Sequence, residues 1–192
     1  HAGGSAFQVS DRHDTWSFDG TWTDLAPATS PGDREEVAMV FMESLGVTIR
    51  YGGFTCPFCT IYQDTWSFDG TNWSALSPPT NPGRRTGHSM AYDPDRGRIV
   101  IFGGRNAAGT DLGDTWEFDG ANWSQRVLFP APSARSMAPM TYDASRMKMV
   151  LFGGYGASSY LQDTWELDAV FGWTQVPVAS PPNPNVNHAM VW

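Results

Sequence analysis

The chain has 192 residues, 41% of them hydrophobic and 17% charged, which suits one globular domain with a real core. With 12 Lys and Arg against 20 Asp and Glu the net charge is −8, and no basic run offsets it, so the surface repels phosphate backbones and excludes nucleic acid as a partner. The longest apolar run, Val37 to Met42, is far too short to span a bilayer.

The chain starts at His1 with neither an initiator Met nor a signal-peptide pattern, which reads as a processed product, an excised piece or a partial chain. An N-terminal His chelates copper only at a true terminus beside a second His. His13, His88 and His188 are scattered, so no metal is expected. "DTWSFDG" at Asp14 to Gly20 returns at Asp64 to Gly70, as "DTWEFDG" at Asp114 to Gly120, and as "DTWELD" at Asp163 to Asp168. Its tryptophans Trp16, Trp66, Trp116 and Trp165 lie 50, 50 and 49 apart. The pairs Gly3-Gly4, Gly52-Gly53, Gly103-Gly104 and Gly153-Gly154 lie 49, 51 and 50 apart, and Met39, Met90, Met140 and Met190 lie 51, 50 and 50 apart. Three markers that keep one period make a repeat.

Each unit predicts four short strands. The first is "GHSMAYD", in which His88, Met90 and Tyr92 share one face and Ser89 and Ala91 the other; "VAMVF", "APMTY" and "HAMVW" show the same split. The second is "RIVIFGG" (Arg98 to Gly104) and "KMVLFGG", apolar on both faces, as a strand between two layers must be. The third is the DTW motif, with Trp66 and Phe68 on one side. An Asp-Gly turn, a strong hairpin signal, leads to a fourth strand around Trp73, Trp123 or Trp173. Pro-rich segments such as "SPPTNPGRR" and "FPAPSAR" join the units, and no helical periodicity appears.

Several residues invite a chemical reading. Cys56 and Cys59, in "CPFC", sit in a loop of an all-β setting, with Pro after the first Cys, no His after the second, and too few ligands for zinc. The pattern predicts a local disulfide and with it an oxidising compartment, extracellular or periplasmic. Arg34, Arg85 and Arg135 share one position before the first strand, with Asn185 fourth; guanidinium groups ringing a channel mouth suit a carboxylate or sulfate, and the competing reading is ion pairing with the many Asp residues. His88 and His188 share a position with Val37 and Ala138, which marks them as strand residues near a channel rather than ligands. Asn72 and Asn122 match a glycosylation sequon but stand where a turn favours Asn. The loops after the Gly-Gly pairs vary most, and Phe54, Phe58, Tyr62, Arg105, Tyr155 and Tyr160 are the binding candidates there.

Four antiparallel strands every fifty residues, each unit needing neighbours on both faces, describe the blades of a β-propeller. The stretch "IVIFGG…LGDTWEFDG…NW", with "RTGHSMAYD" ahead of it, resembles the kelch repeat in the form common in bacterial secreted proteins, within the galactose-oxidase-like propeller superfamily. The resemblance covers essentially the whole chain. It implies an all-β kelch-type β-propeller of four-stranded antiparallel blades, usually six or seven in number, of which four repeats are visible here. Residues 1–192 form one domain or segment, with units near 1–32 (partial), 33–82, 83–132, 133–182 and 183–192 (partial). The family serves mostly as a binding platform and less often as an enzyme scaffold. The galactose oxidase group needs two tyrosines, two histidines and a cysteine crosslinked to a tyrosine around copper, and that set cannot be placed here. The reading is a non-catalytic extracellular binding or assembly module without cofactor, its partner a protein or a second copy at a cell surface, with a glycan as the alternative ligand and a copper enzyme the least favoured.

Two structural expectations follow. Trp16, Trp66, Trp116 and Trp165 should be buried between blades with Met39, Met90 and Met140. In the repeat register His1 and Ala2 match Ile101 and Phe102, and Trp192 matches Tyr92 and Tyr142, so the equivalent of residues 93–100, nearly all of one second strand, is missing. The chain is then expected to be part of a longer propeller, or a subunit whose gap a neighbour fills.

Overall fold

The computed structural model describes residues 14–56, 60–183 and 190, and every regular element among them is a strand. The N-terminal unit contributes β1 (Trp16–Phe18) and β2 (Trp22–Asp24). The next runs β3 (Ala38–Met42), β4 (Val47–Tyr51), a small hairpin β5 (Phe54–Thr55) and β6 (Thr60–Ile61), then β7 (Thr65–Phe68) and β8 (Trp73–Leu76). It is followed by β9 (Ser89–Asp93), β10 (Arg98–Phe102), β11 (Thr115–Phe118) and β12 (Trp123–Arg126). The last has β13 (Met140–Asp143), β14 (Lys148–Phe152), the hairpin β15 (Tyr155–Gly156) and β16 (Ser159–Tyr160), then β17 (Thr164–Asp168) and β18 (Gly172–Val176). Three four-stranded antiparallel sheets result, β3-β4-β7-β8, β9-β10-β11-β12 and β13-β14-β17-β18, each in simple up-and-down order. These are propeller blades, and their first strands β3, β9 and β13 stand side by side.

Period-two alternation gives each blade a front and a back. In the middle blade Met90, Ile101, Trp116 and Tyr92, Ile99, Phe118, Trp123 form two cross-strand rows on the front. They pack on Met42, Ile49 and Tyr51, from the back of the blade before. Ala91, Val100 and Phe102 on its own back pack on Met140, Met149, Leu151, Leu167 and Trp173 from the front of the blade after. The second strand is therefore apolar on both faces, as its sequence predicts.

The tryptophan expectation needs correction. Trp165 is buried, but Trp66 and Trp116 are half-buried and Trp16 is 46% exposed, as is Met39 at 52%; Met90 is half-buried and Met140 buried. The residues that fill the junctions are the fourth-strand tryptophans Trp73, Trp123 and Trp173, with Trp123 and Trp173 each 1% exposed. The two sets of tryptophans also differ in their hydrogen bonds. Each DTW indole donates to the Asp two residues earlier, at 2.7 or 2.8 Å, which holds the ring along its own strand. Each fourth-strand indole instead reaches back to the Thr of the preceding DTW: Trp73 to Thr15 and Trp123 to Thr65 at 3.0 Å, Trp173 to Thr115 at 2.9 Å.

A polar clasp crosses two outer edges. Asn72 accepts from the Ala28 backbone at 2.8 Å and Asn122 from Thr80 at 3.0 Å, while the Thr29 and Thr80 hydroxyls donate to the carbonyls of Trp73 and Trp123. These asparagines are thus structural acceptors in Asp-nucleated turns. At the next edge the clasp is absent among the described residues, and Phe129 and Phe171 stand exposed there instead.

Candidate binding face

The Gly-Gly pairs build the base of this face. Gly103 has φ +66°, and a Cβ there would lie 2.4 Å from the Arg135 carbonyl oxygen. Only glycine allows that approach. It lets the Gly104 N–H donate to the same carbonyl at 2.8 Å, and Gly53 donates to Arg85 in the same way at 3.0 Å.

Two of the arginines before a first strand, Arg85 and Arg135, join two blades. The Arg135 backbone N–H donates to Leu112 at 2.9 Å, in the loop of the blade before, and Arg85 donates likewise to Tyr62 at 3.1 Å. Their side chains turn inward to their own blades. Arg85 makes a bidentate pair with Asp114, both bonds 2.9 Å, and also donates to the Gly103 carbonyl at 2.9 Å. Arg135 holds Asp163 at 2.6 and 2.8 Å, and Arg34 holds Asp64, one bond being 2.7 Å. Of the two readings left open by the sequence, the structure places these guanidiniums in internal ion pairs. Their side chains are 5%, 1% and 0% exposed for Arg34, Arg85 and Arg135, so they do not present a cation to a channel mouth. Burial alone would raise the carboxyls of Asp64, Asp114 and Asp163. The arginine hydrogen bonds and charge, with the indole N–H, outweigh it and hold all three below the ordinary carboxylate value. The DTW motif is therefore a three-way joint: Asp anchors its arginine, Thr receives the next blade's tryptophan, and its own Trp closes over the Asp.

Three buried side chains in this layer, Arg50, Arg85 and His88, carry nitrogens without a hydrogen-bond partner. The His88 ring, edge-on to Tyr51 at 5.6 Å, has neither nitrogen hydrogen-bonded; burial, then the Arg85 charge, lowers its pKa to about 3. Arg50 stands where the other blades have Ile101 and Leu151. Burial, then repulsion from Arg34, lowers it to about 10, and its Nε is unpartnered.

Above this constant base the loops diverge. The first is the β5–β6 hairpin, with Phe54 half-buried and bridged to Glu35 through its backbone. Tyr62 lies under the Arg34 guanidinium at 3.6 Å and its hydroxyl is 3.3 Å from Thr55 Oγ1. In the second, Arg105 pairs with Asp111 at 3.2 Å on a side chain 46% exposed. The third is the β15–β16 hairpin, where Tyr155 meets Tyr160 edge-on at 5.4 Å and Tyr160 is 60% exposed. The predicted Phe58 and Cys59 lie outside the described residues, so the Cys56–Cys59 bond does too; Cys56 is on the exposed side of the first loop. His188 and Asn185 are likewise outside them.

The structure adds residues that sequence reasoning did not single out. Between the loops, the pre-strand segments form a rim in which Gly87 N–H donates to the Glu36 carbonyl at 3.1 Å and Met137 N–H to the Gly87 carbonyl at 2.7 Å. Glu36 accepts from the Thr86 hydroxyl at 2.9 Å, and Arg84 donates to the Ile61 carbonyl at 2.6 Å. Glu35, Glu36, Arg84, Arg105 and Tyr160 are exposed.

Residues 70–192 match the model of the KLHDC2/KLHL20/DRC7 Kelch-repeats domain, more than half of the chain, in the region holding two of the three complete blades. No curated protein matches the chain. Among the described residues no helix is long and apolar enough to cross a membrane. With the Gly-Gly seam, the arginine–aspartate joints and the four-stranded blades in place, the family match gives the identity: the chain belongs to the Kelch-repeat family, whose propellers are protein-binding and structural modules.

Proposed function

We propose that this chain is a non-catalytic recognition module that binds a protein partner through the face carrying the loops after the Gly-Gly pairs, and that it works outside the cytoplasm. The carrying observation is the contrast between base and tips. All three loops leave the same backbone joints, with Tyr62, Leu112 and Leu161 N–H groups donating to Gly53, Gly104 and Gly154 at 2.9, 2.8 and 2.8 Å. Their tips then differ in length and side chains. A fixed frame with variable, partly aromatic tips is how a scaffold carries recognition. The extracytoplasmic part rests on the paired cysteines of "CPFC".

A photo-crosslinking residue at Tyr160 should capture protein from the native source, and one at the outer-edge Thr174 should not. Equal capture at both, or capture of glycan alone, overturns the binding face. A non-reducing mass spectrum showing Cys56 and Cys59 as thiols overturns the extracytoplasmic assignment.

A further inference from the structure

Among the described residues, the outer seam between the last two blades is surfaced unlike the seams before it. After β8 the linker carries Ser77, Pro79 and Thr80, and Thr80 clasps Asn122 in the turn of the next blade. Fifty residues on, Val127, Phe129 and Pro130 stand at those positions. The turn they face, Asp168 to Trp173, is one residue longer than Asp119 to Trp123, with Gly172 in place of the asparagine and Val170 and Phe171 at its tip. Proline has no hydroxyl to donate and glycine no side-chain amide to accept, so the polar clasp is lost on both sides at once.

The two apolar strips lie side by side. Arg126 donates to the Ala169 carbonyl at 3.2 Å, and Leu128 covers Gly172, where a Cβ would lie 3.3 Å from its side chain. Leu128 is spent inward. Val127 and Phe129 are 92% and 99% exposed, beside Val170 at 78% and Phe171 at 84%. The tip is held in place, because the Asp168 carboxylate accepts from the Val170 and Phe171 N–H groups at 2.8 and 3.1 Å. Charge is missing here as well. No acidic residue occurs from Gly120 to Tyr142, and no Asp, Glu, Lys or Arg from Ala169 to Trp192, in a chain of net charge −8. The neighbouring Arg126 is already paired with Glu117 at 2.7 Å.

We propose that this seam is a self-association surface, where two copies of the chain meet about a twofold axis with Phe129 and Phe171 of each against those of the other. Charge and area select a second copy. A charged partner finds nothing here to complement. A net charge of −8 opposes an anionic membrane and most approaches of a second copy, and least opposes the approach that joins two uncharged strips. Two Phe and two Val this exposed offer roughly 500 Å² per copy, so about 1,000 Å² in the pair, the size at which specific interfaces begin. Holding the turn beforehand lowers the ordering cost of contact. A patch that meets itself closes as a dimer and grows no further. The seam lies between two complete blades, away from either end of the array and apart from the loop face, which the dimer leaves free.

Sedimentation of the 192-residue chain over a concentration series tests this. The expected result is a mass that climbs from 21.1 kDa to twice that and stops. Phe129→Ser and Phe171→Asn should each raise the dimer dissociation constant about tenfold or more, with far-UV circular dichroism native. Phe18→Ser, on the N-terminal unit, should leave it unchanged. A wild-type chain that stays monomeric at all concentrations overturns the proposal. So does a dimer that both seam substitutions leave intact or that Phe18→Ser abolishes, since either places the contact elsewhere. A monomer that floats with phosphatidylcholine vesicles, and loses that with Phe129→Ser, assigns the strip to a lipid surface instead.

Discussion

Trp123 of the middle blade donates its indole N–H to the hydroxyl of Thr65 in the blade before, 3.0 Å away across 58 residues of sequence. Its ring lies edge-on to Tyr51 at 5.2 Å and against Phe118 at 4.8 Å. One side chain thus ties the fourth strand of one blade to the second and third strands of another. Trp123→Ala should cost about 3–5 kcal/mol, the usual loss for a buried large aromatic. Thr65→Val keeps the volume and strands the indole N–H, so it should cost about 1–3 kcal/mol. Urea unfolding measures both, and equal effects for Trp123→Ala and the exposed Trp16→Ala would show that the junction is not where the energy lies.

The Arg85–Asp114 pair has one partner 1% exposed and the other 23%. Asp114→Asn leaves a buried guanidinium without its counter-charge and should cost about 3 kcal/mol or more. Because the folded carboxyls of Asp64, Asp114 and Asp163 lie below 3.8, their stabilisation is present above that pH and lost as the pH falls through the depressed values. Thermal melts should therefore show a steep acid limb below 3.8 that Asp114→Asn makes shallower.

His88 acts in a different pH window. Its ring stays neutral in the fold down to about 3, whereas the unfolded chain takes up that proton near 6.5. Stability contributed by the neutral ring is full above 6.5 and declines as the pH drops toward 3. His88→Val, which copies Val37 at the same repeat position, should flatten that slope and leave the neutral-pH melting temperature unchanged or higher, since it also removes two unsatisfied buried nitrogens. A slope that survives the substitution would place the titrating group elsewhere.

Arg50 is a charge in an aliphatic position, held by one 3.3 Å bond to the Gly32 carbonyl and repelled by Arg34. Replacing buried ionic groups by apolar ones of similar volume is often neutral or stabilising. Arg50→Leu should raise stability by about 1 kcal/mol in a denaturant melt. A loss of that size would mean that the guanidinium holds the Gly32 turn in place.

How much of this was legible beforehand differs between Trp116 and Trp123. The period, the strands and the apolar second strand were all readable, because β-strand alternation and turn chemistry are local and leave their mark in each unit. Alternation put Trp116 and Phe118 on one face, correctly, but burial does not follow from face alone. Trp116 spends its N–H on Asp114 within its own strand, while Trp123 spends its N–H on a residue in another blade.

The arginines show the same limit at the site. Arg34, Arg85 and Arg135 were visible as one repeated position, and so were Asp64, Asp114 and Asp163, but their separations of 30, 29 and 28 residues carry no sign of pairing. By itself the sequence determined the repeat, its strands and the family, because those depend on contacts within a unit. Only the tertiary structure decided which of the repeated residues are spent inside the frame and which remain on its surface. That choice depends on where the neighbouring blade's backbone and side chains come to lie, and on the cost of burying a charge or N–H without a partner there.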